Sequence, residues 1–241
     1  MAKEMSKTQI DRLGDRLRKG NISEDDLRLL DQYRRSFTEA YEFVVGAIRK
    51  ELALEPTGRP AKSTTSISDK LRRESIRLTQ IQDIAGCRLI VGDMAEQDSV
   101  VQSLKGLFEH TTVIDRRERP SHGYRAVHVV VTHLGKLIEI QVRTSLQHLW
   151  AELSEKYSDV VDPAIKYGGG SKDAQELLEK ASKLVNSEES NERGLTEILI
   201  LSSTKDNLSD DLKRQIEEVQ GVQDSTRQAT LNLLRKLIER V

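Results

Sequence analysis

Between about residue 65 and residue 160, short β-branched runs alternate with helix-spaced ones, and this alternation constrains the fold more than any other feature of the sequence. Cys87-Arg88-Leu89-Ile90-Val91, closed by Gly92-Asp93, has the length and branching of a buried strand. Val100, Val101, Leu104, Leu107 and Phe108 return to three- and four-residue spacing, and Thr111 to Ile114 reads as strand again. Val127 to Val131 and Leu137 to Val142 give two more strands, joined around His133-Leu134-Gly135-Lys136 as a hairpin. A helix follows over about 145–157. A chain that alternates in this way folds as an α/β domain.

Both flanks are helical. Leu13 and Leu17 lie one turn apart before Gly20-Asn21 breaks the pattern. Ser23 is a good N-cap for Glu24, Asp25 and Asp26, whose charges favour a helix amino terminus. From there Leu27, Leu30, Tyr33, Phe37, Tyr41, Val44 and Ile48 form one apolar stripe, which predicts a single long helix ending at Pro56-Thr57-Gly58-Arg59-Pro60. Gly168-Gly169-Gly170 reads as a flexible joint, although glycine runs can also approach phosphates. Beyond it Leu177, Leu178, Ala181 and Leu184 form one stripe, and Leu212, Ile216, Val219, Val222, Leu231, Leu234, Leu237 and Ile238 form another. The expected organisation is an N-terminal helical region over 1–57, an α/β core over 58–160 and a C-terminal helical extension over 171–241. Terminal helices of that length pack on their own core or on a sister subunit, and a homo-oligomer is the expectation.

Charge and cysteine usage exclude several classes. The 38 Lys and Arg against 39 Asp and Glu, a formal charge of -1, argue against a globally basic nucleic-acid coat but leave room for a local basic site. A single cysteine excludes an internal disulfide framework and a multi-cysteine zinc site, and Cys87 within an apolar run reads as a core thiol. No apolar run approaches the roughly 20 residues that span a membrane, and the charged amino terminus has no signal-peptide core. The expected location is the cytoplasm.

Gly58 to Thr64 faintly resembles a P-loop but fails, since Pro56 and Ala61 hold the required glycine positions and the reading places no strand before it. Two basic clusters stand out: Arg59, Lys62, Lys70, Arg72, Arg73 and Arg77, then Arg116, Arg117, Arg119 and Arg125 around Pro120-Ser121-His122-Gly123-Tyr124. They read either as solvated faces or as cations for phosphates beside an aromatic ring at a loop tip. Asp83 before one strand and Glu139 within another read either as buried, paired carboxylates or as ligands of a magnesium ion shared with substrate phosphates.

Four blocks then carry a resemblance: Lys62-Ser63-Thr64-Thr65-Ser66-Ile67-Ser68-Asp69-Lys70, Asp83-Ile84-Ala85-Gly86-Cys87-Arg88, Gly123-Tyr124-Arg125-Ala126-Val127-His128 and Glu139-Ile140-Gln141-Val142-Arg143-Thr144. In their order and gaps over about 58–157 they resemble the RelA/SpoT-type alarmone synthetases. No His-Asp dipeptide of the family's hydrolase domain occurs, so the resemblance is to the short, synthetase-only branch.

The resemblance implies a nucleotidyltransferase-like mixed β-sheet core wrapped by helices. It also implies transfer of pyrophosphate from ATP to the 3′-hydroxyl of GDP or GTP, giving guanosine tetra- or pentaphosphate and AMP with magnesium. In that pattern Arg59 and Arg88 sandwich adenine, while Lys62, Ser66 and Lys70 contact the ATP phosphates. Asp83 ligates the metal. Glu139 helps hold the metal and activates the hydroxyl. Tyr124 stacks on guanine, and Arg125, His128, Gln141 and Arg143 complete the acceptor surroundings. Some short relatives are toxins that use adenine nucleotides or the tRNA 3′ end as acceptor, which would imply an antitoxin partner. A reading of a different class is a nucleotide-binding regulatory module without catalysis.

Overall fold

A computed structural model describes residues 5–59, 61–203 and 209–241. The chain forms eight α-helices among the described residues, α1 (Lys7–Lys19), α2 (Glu24–Arg35), α3 (Thr38–Leu52), α4 (Thr64–Arg73), α5 (Met94–Leu107), α6 (Ser145–Val160), α7 (Lys172–Ser203) and α8 (Asp210–Arg240). The strands are β1 (Thr57–Arg59), β2 (Ala85–Val91), β3 (Thr111–Asp115), β4 (Val127–His133) and β5 (Lys136–Thr144). They make one mixed five-stranded sheet in the order β1-β2-β5-β4-β3. The expected α/β architecture with helical ends is what the chain adopts. Among the described residues no helix is long and apolar enough to cross a membrane.

The β4–β5 hairpin turns through Leu134 and Gly135, both with positive φ (48° and 70°), as the two-residue turn that matches strand twist requires. Ser23 caps α2 as expected, accepting from the Asp26 amide at 3.2 Å. The stripe from Leu27 to Ile48, however, belongs to two helices and not one. The Ser36 hydroxyl donates to the Tyr33 carbonyl at 2.6 Å. The Phe37 amide bonds three residues back, to Arg34, at 3.0 Å. This tight turn ends α2 and reopens the chain as α3 while keeping Leu30, Tyr33, Phe37, Val44 and Ile48 buried; Leu27, at the edge of the stripe, stays exposed.

β1 and α4 lie in a stretch read as helix end and basic loop. β1 pairs antiparallel with β2, Gly58 opposite Cys87. A strand does therefore precede Lys62, but three residues carry no periodicity to read. The close approach explains Gly58: a Cβ there would come within 2.5 Å of the Gly86 carbonyl oxygen.

Packing groups the residues into two compact units. The first comprises Met1–Leu89, Gln102–Ile114 and His128–Gln141, and the second Ile90–Val101, Asp115–Val127 and Val142–Val241. In the first, α1 packs on α4, with Arg18 donating to the Leu71 carbonyl at 2.9 Å and Leu13, Leu17, Ile67 and Leu71 fully buried. In the second, Leu146, Trp150 and Leu153 of α6 meet Leu178 and Val185 of α7 and Leu231 and Leu234 of α8. Burial of each such side chain stabilises by roughly 1.5–3 kcal/mol before entropy is counted. The glycine triplet is no loose joint. Gly168 closes a 3-10 turn (Pro163–Tyr167) with φ 80°, and a Cβ on it would strike the His122 ring at 2.5 Å. A Cβ on Gly169 or Gly170 would come within 2.9 Å of Ala164 or Asp162 respectively.

Candidate functional site

In the first unit, charge gathers where β1, α4 and β2 meet. Ser63 caps α4 by accepting from the Ser66 amide at 3.2 Å, which fixes the first turn. Ser66 lies in that turn with its hydroxyl 2.8 Å from Ser63 Oγ. The Lys62 amide bonds the Ile84 carbonyl at 2.7 Å, tying the segment after β1 to the approach of β2. Lys62 Nζ, just before the α4 cap, and Lys70 Nζ, in the last turn of α4, then reach the two oxygens of Asp83 at 2.6 and 3.0 Å. Burial pushes the Asp83 carboxyl up, but the two ammonium groups outweigh it and hold the group below the ordinary aspartate value.

Period-two alternation puts Glu139, Gln141 and Arg143 on one face of β5, opposite the core residues Ile138, Ile140 and Val142. Glu139 is 7% exposed. It accepts from Gln141 Nε2 at 2.6 Å, and His128 Nδ1 of β4 lies 3.5 Å from its other oxygen. Burial again pushes the carboxyl up, and the Asp83 charge adds to that, yet His128 and Gln141 prevail and Glu139 stays below the ordinary glutamate value. Gly86 makes the approach possible: a Cβ there would meet the Glu139 carbonyl oxygen at 2.5 Å. Asp83 and Glu139 therefore sit close enough to feel each other's charge, both ionised. Two hard oxygen donors fit a magnesium ion, which takes few protein ligands and fills its shell with water and phosphate. No group of three or more His, Cys, Asp or Glu that could hold a metal occurs among the described residues.

Arg88 follows on β2, opposite Thr57 of β1, on the strand face away from Cys87 and Leu89. Arg59 ends β1 opposite Gly86, and its side chain lies outside the described residues. The first unit thus brings together Lys62, Ser66, Lys70, Asp83, His128, Glu139 and Gln141.

Tyr124, Arg125 and Arg143 belong to the second unit. The loop tip is His122-Gly123 (φ 51° and 86°), with Ser121 and Tyr124 bridging across it, so Tyr124 is on the returning limb and only half-exposed. Arg143 donates to the Tyr124 hydroxyl at 2.9 Å and lies 5.0 Å from the ring centroid. The Arg125 guanidinium donates to the Arg117 carbonyl. Arg117, read as part of a basic cluster, is an ion-pair anchor, 2.6 Å from both Asp98 and Asp115. Sequence reasoning missed the groups behind this pair. Thr144 Oγ1 donates to buried Glu189 at 2.5 Å, Gln147 Nε2 donates to it at 3.1 Å, and Ser182 Oγ donates to the Gly123 carbonyl at 2.7 Å. One signal was available: Glu189 falls in phase with Leu178 and Val185, a carboxylate on the buried stripe of its helix.

Two lysines paired with Asp83 at the approach to β2, beside the ionised Glu139 of β5, define a centre suited to phosphate-bearing substrates. Residues 58–158 match the model of the RelA_SpoT family, described as a region found in RelA / SpoT proteins, and this segment of the chain is similar to that region. An uncharacterized protein of Mycobacterium tuberculosis is 39% identical over 114 residues, 44% of this chain and 41% of that protein, so the match spans well under half of that relative. The small alarmone synthetase 1 of Bacillus subtilis is similar in structure, with TM-score 0.53 and 27% identity, over 73% of this chain and 99% of that one. A GTP pyrophosphokinase family protein of Streptococcus pneumoniae shares the fold at TM-score 0.54 and 24% identity, over 77% of this chain and 100% of the other.

Proposed function

We propose that this chain transfers the β,γ-pyrophosphate of ATP to the 3′-hydroxyl of GDP or GTP. The observation that carries the reading is Glu139, a buried carboxylate kept ionised by His128 and Gln141 beside the Lys62–Asp83–Lys70 cluster. A ribose hydroxyl is a weak nucleophile, and an ionised, positioned carboxylate can take its proton as the O3′–phosphorus bond forms. The α,β-bridging bond of ATP breaks, and AMP leaves. Lys62, Lys70 and the capped first turn with Ser66 hold the phosphates and offset the charge of the group in transit. Magnesium bound by Asp83 and Glu139 would neutralise the phosphate oxygens. Arg59 and Arg88 take the adenine, and Tyr124, with Arg125 and Arg143 of the same unit, takes the acceptor base; the family resemblance assigns His128 and Gln141 to the acceptor as well. Labelled ATP incubated with GDP, GTP, ATP or tRNA and resolved by thin-layer chromatography tests the reading. Label on a guanosine nucleotide supports it, label on an adenine nucleotide or tRNA changes the acceptor, and none at all leaves a binding module.

Tyr124→Ala should weaken acceptor binding by about 1 to 3 kcal/mol, the scale of base–aromatic stacking. ATP affinity should stay nearly constant in the same calorimetric titrations. Equal weakening of both nucleotides would mean that Tyr124 supports the fold and does not read the base.

The proposal extends to a homo-oligomer built on α8. Leu231 and Leu234 are spent within their own unit, but Leu212, Val219 and Val222 are 42%, 54% and 64% exposed along one stretch of the helix. Light scattering should give a multiple of 27.3 kDa, and the double variant Val219→Glu, Val222→Glu should return the monomer. Truncation near Gly170 is no fair test, since it would strip α6 of its cover. A monomer at micromolar concentration discards the interface.

A further inference from the structure

α7 reaches the Tyr124–Arg143 pair from behind at two points. Ser182 Oγ donates to the carbonyl of Gly123, the residue before Tyr124, at 2.7 Å. Glu189 accepts from the hydroxyl of Thr144, the residue after Arg143, at 2.5 Å. Ser182 and Glu189 are seven residues apart, two helical turns, and so share one face of α7 with Val185 between them. Both are 3% exposed.

Each contact is held from a second side. Gly123, with φ 86°, lies so close that a Cβ would stand 2.7 Å from the Trp150 ring and 3.2 Å from Ser182 Cβ. Trp150 Nε1 in turn donates to the Leu178 carbonyl of α7 at 2.8 Å. Thr144 is the N-cap of α6, where it accepts from the Gln147 amide at 3.1 Å. Gln147 donates to Glu189 and accepts from Gln97, which also donates to the Val142 carbonyl at 2.8 Å. The backbone on both sides of Arg143 is therefore pinned, and the backbone before Tyr124 likewise.

We propose that Ser182 and Glu189 are positioning residues: one face of α7 sets the spacing of Tyr124 and Arg143, and through that pair the affinity for the acceptor nucleotide. The inference rests on the reading of Tyr124 as the acceptor platform. A hydrogen bond of this kind changes an equilibrium by a few-fold, and a buried carboxylate whose partner is mismatched changes it by more.

The test uses Ser182→Ala, which deletes one hydroxyl, and Glu189→Gln, which keeps the bond from Thr144 but sets an amide against the Gln147 amide. In the full chain each should raise the acceptor KM about three- to tenfold, leaving the ATP KM within about twofold and Tm within a few degrees. Trp150, the single tryptophan, gives a readout that needs no turnover: acrylamide quenching of its emission should increase in Ser182→Ala as the Gly123 turn over it loosens. An unchanged acceptor KM in both, or an equal rise in the ATP KM, overturns the proposal. Should the wild-type chain transfer pyrophosphate to no acceptor, the functional reading fails, and quenching still decides the positioning claim. Unchanged quenching at unchanged Tm then refutes it.

Discussion

Glu139→Gln should lower turnover on the order of a hundredfold or more, the scale of a lost general base, while nucleotide affinity changes much less. Glutamine keeps the size and can still bond Gln141, but it could neither take a proton from the 3′-hydroxyl nor balance the magnesium ion proposed to bind beside Asp83. In the free enzyme the acid limb set by Glu139 should lie below its ordinary value of 4.5, because the His128 and Gln141 contacts overcome the upward push of burial. Near-normal turnover of the variant in steady-state assays would remove Glu139 from the mechanism.

Asp83→Asn should be the more damaging change to the protein itself. It leaves Lys62 and Lys70, with side chains 13% and 21% exposed, facing each other without their shared counter-charge. Removing one member of a largely buried ion pair costs on the order of 3 kcal/mol. Its pH dependence is specific. The folded Asp83 carboxyl lies below its ordinary value of 3.8, so its stabilisation is fully present above that value and is lost as pH falls through the lower folded one. Urea midpoints should therefore separate wild type from variant at neutral pH and converge under more acid conditions than pH 3.8. A variant as stable as wild type at neutral pH would show that the lysines find other partners. Turnover should fall at least as far as in Glu139→Gln, since under the proposed function Asp83 both holds the phosphate-binding lysines in place and would ligate magnesium.

Much of this was legible in order along the chain. β2, β4, β5 and the hairpin between them announce themselves through β-branched runs and a glycine turn. The α2 cap was visible in Ser23 and the acids behind it. Asp83 and Glu139 stood out because carboxylates before and within strands need a reason, and Lys62 and Lys70 because they belong to a basic cluster. What failed were features whose signal is short or shared. A three-residue β1 has no period. The turn at Ser36-Phe37 keeps the apolar phase and so hides the break in the stripe. The glycine triplet, read as slack, is tight because His122, Ala164 and Asp162 occupy the space side chains would need.

Sequence by itself determined the α/β class, the helical ends and the set of ionisable residues, because periodicity and capping act between neighbours along the chain. Tertiary structure alone decided what each charge does. Arg117 became an anchor and Lys62 a partner of Asp83, since ion pairing depends on distances across elements that no spacing encodes. The same holds for Ser182 and Glu189. On paper they are a small polar residue and one more acid in a charged helix; packing buries both and aims them at the backbone beside Tyr124 and Arg143.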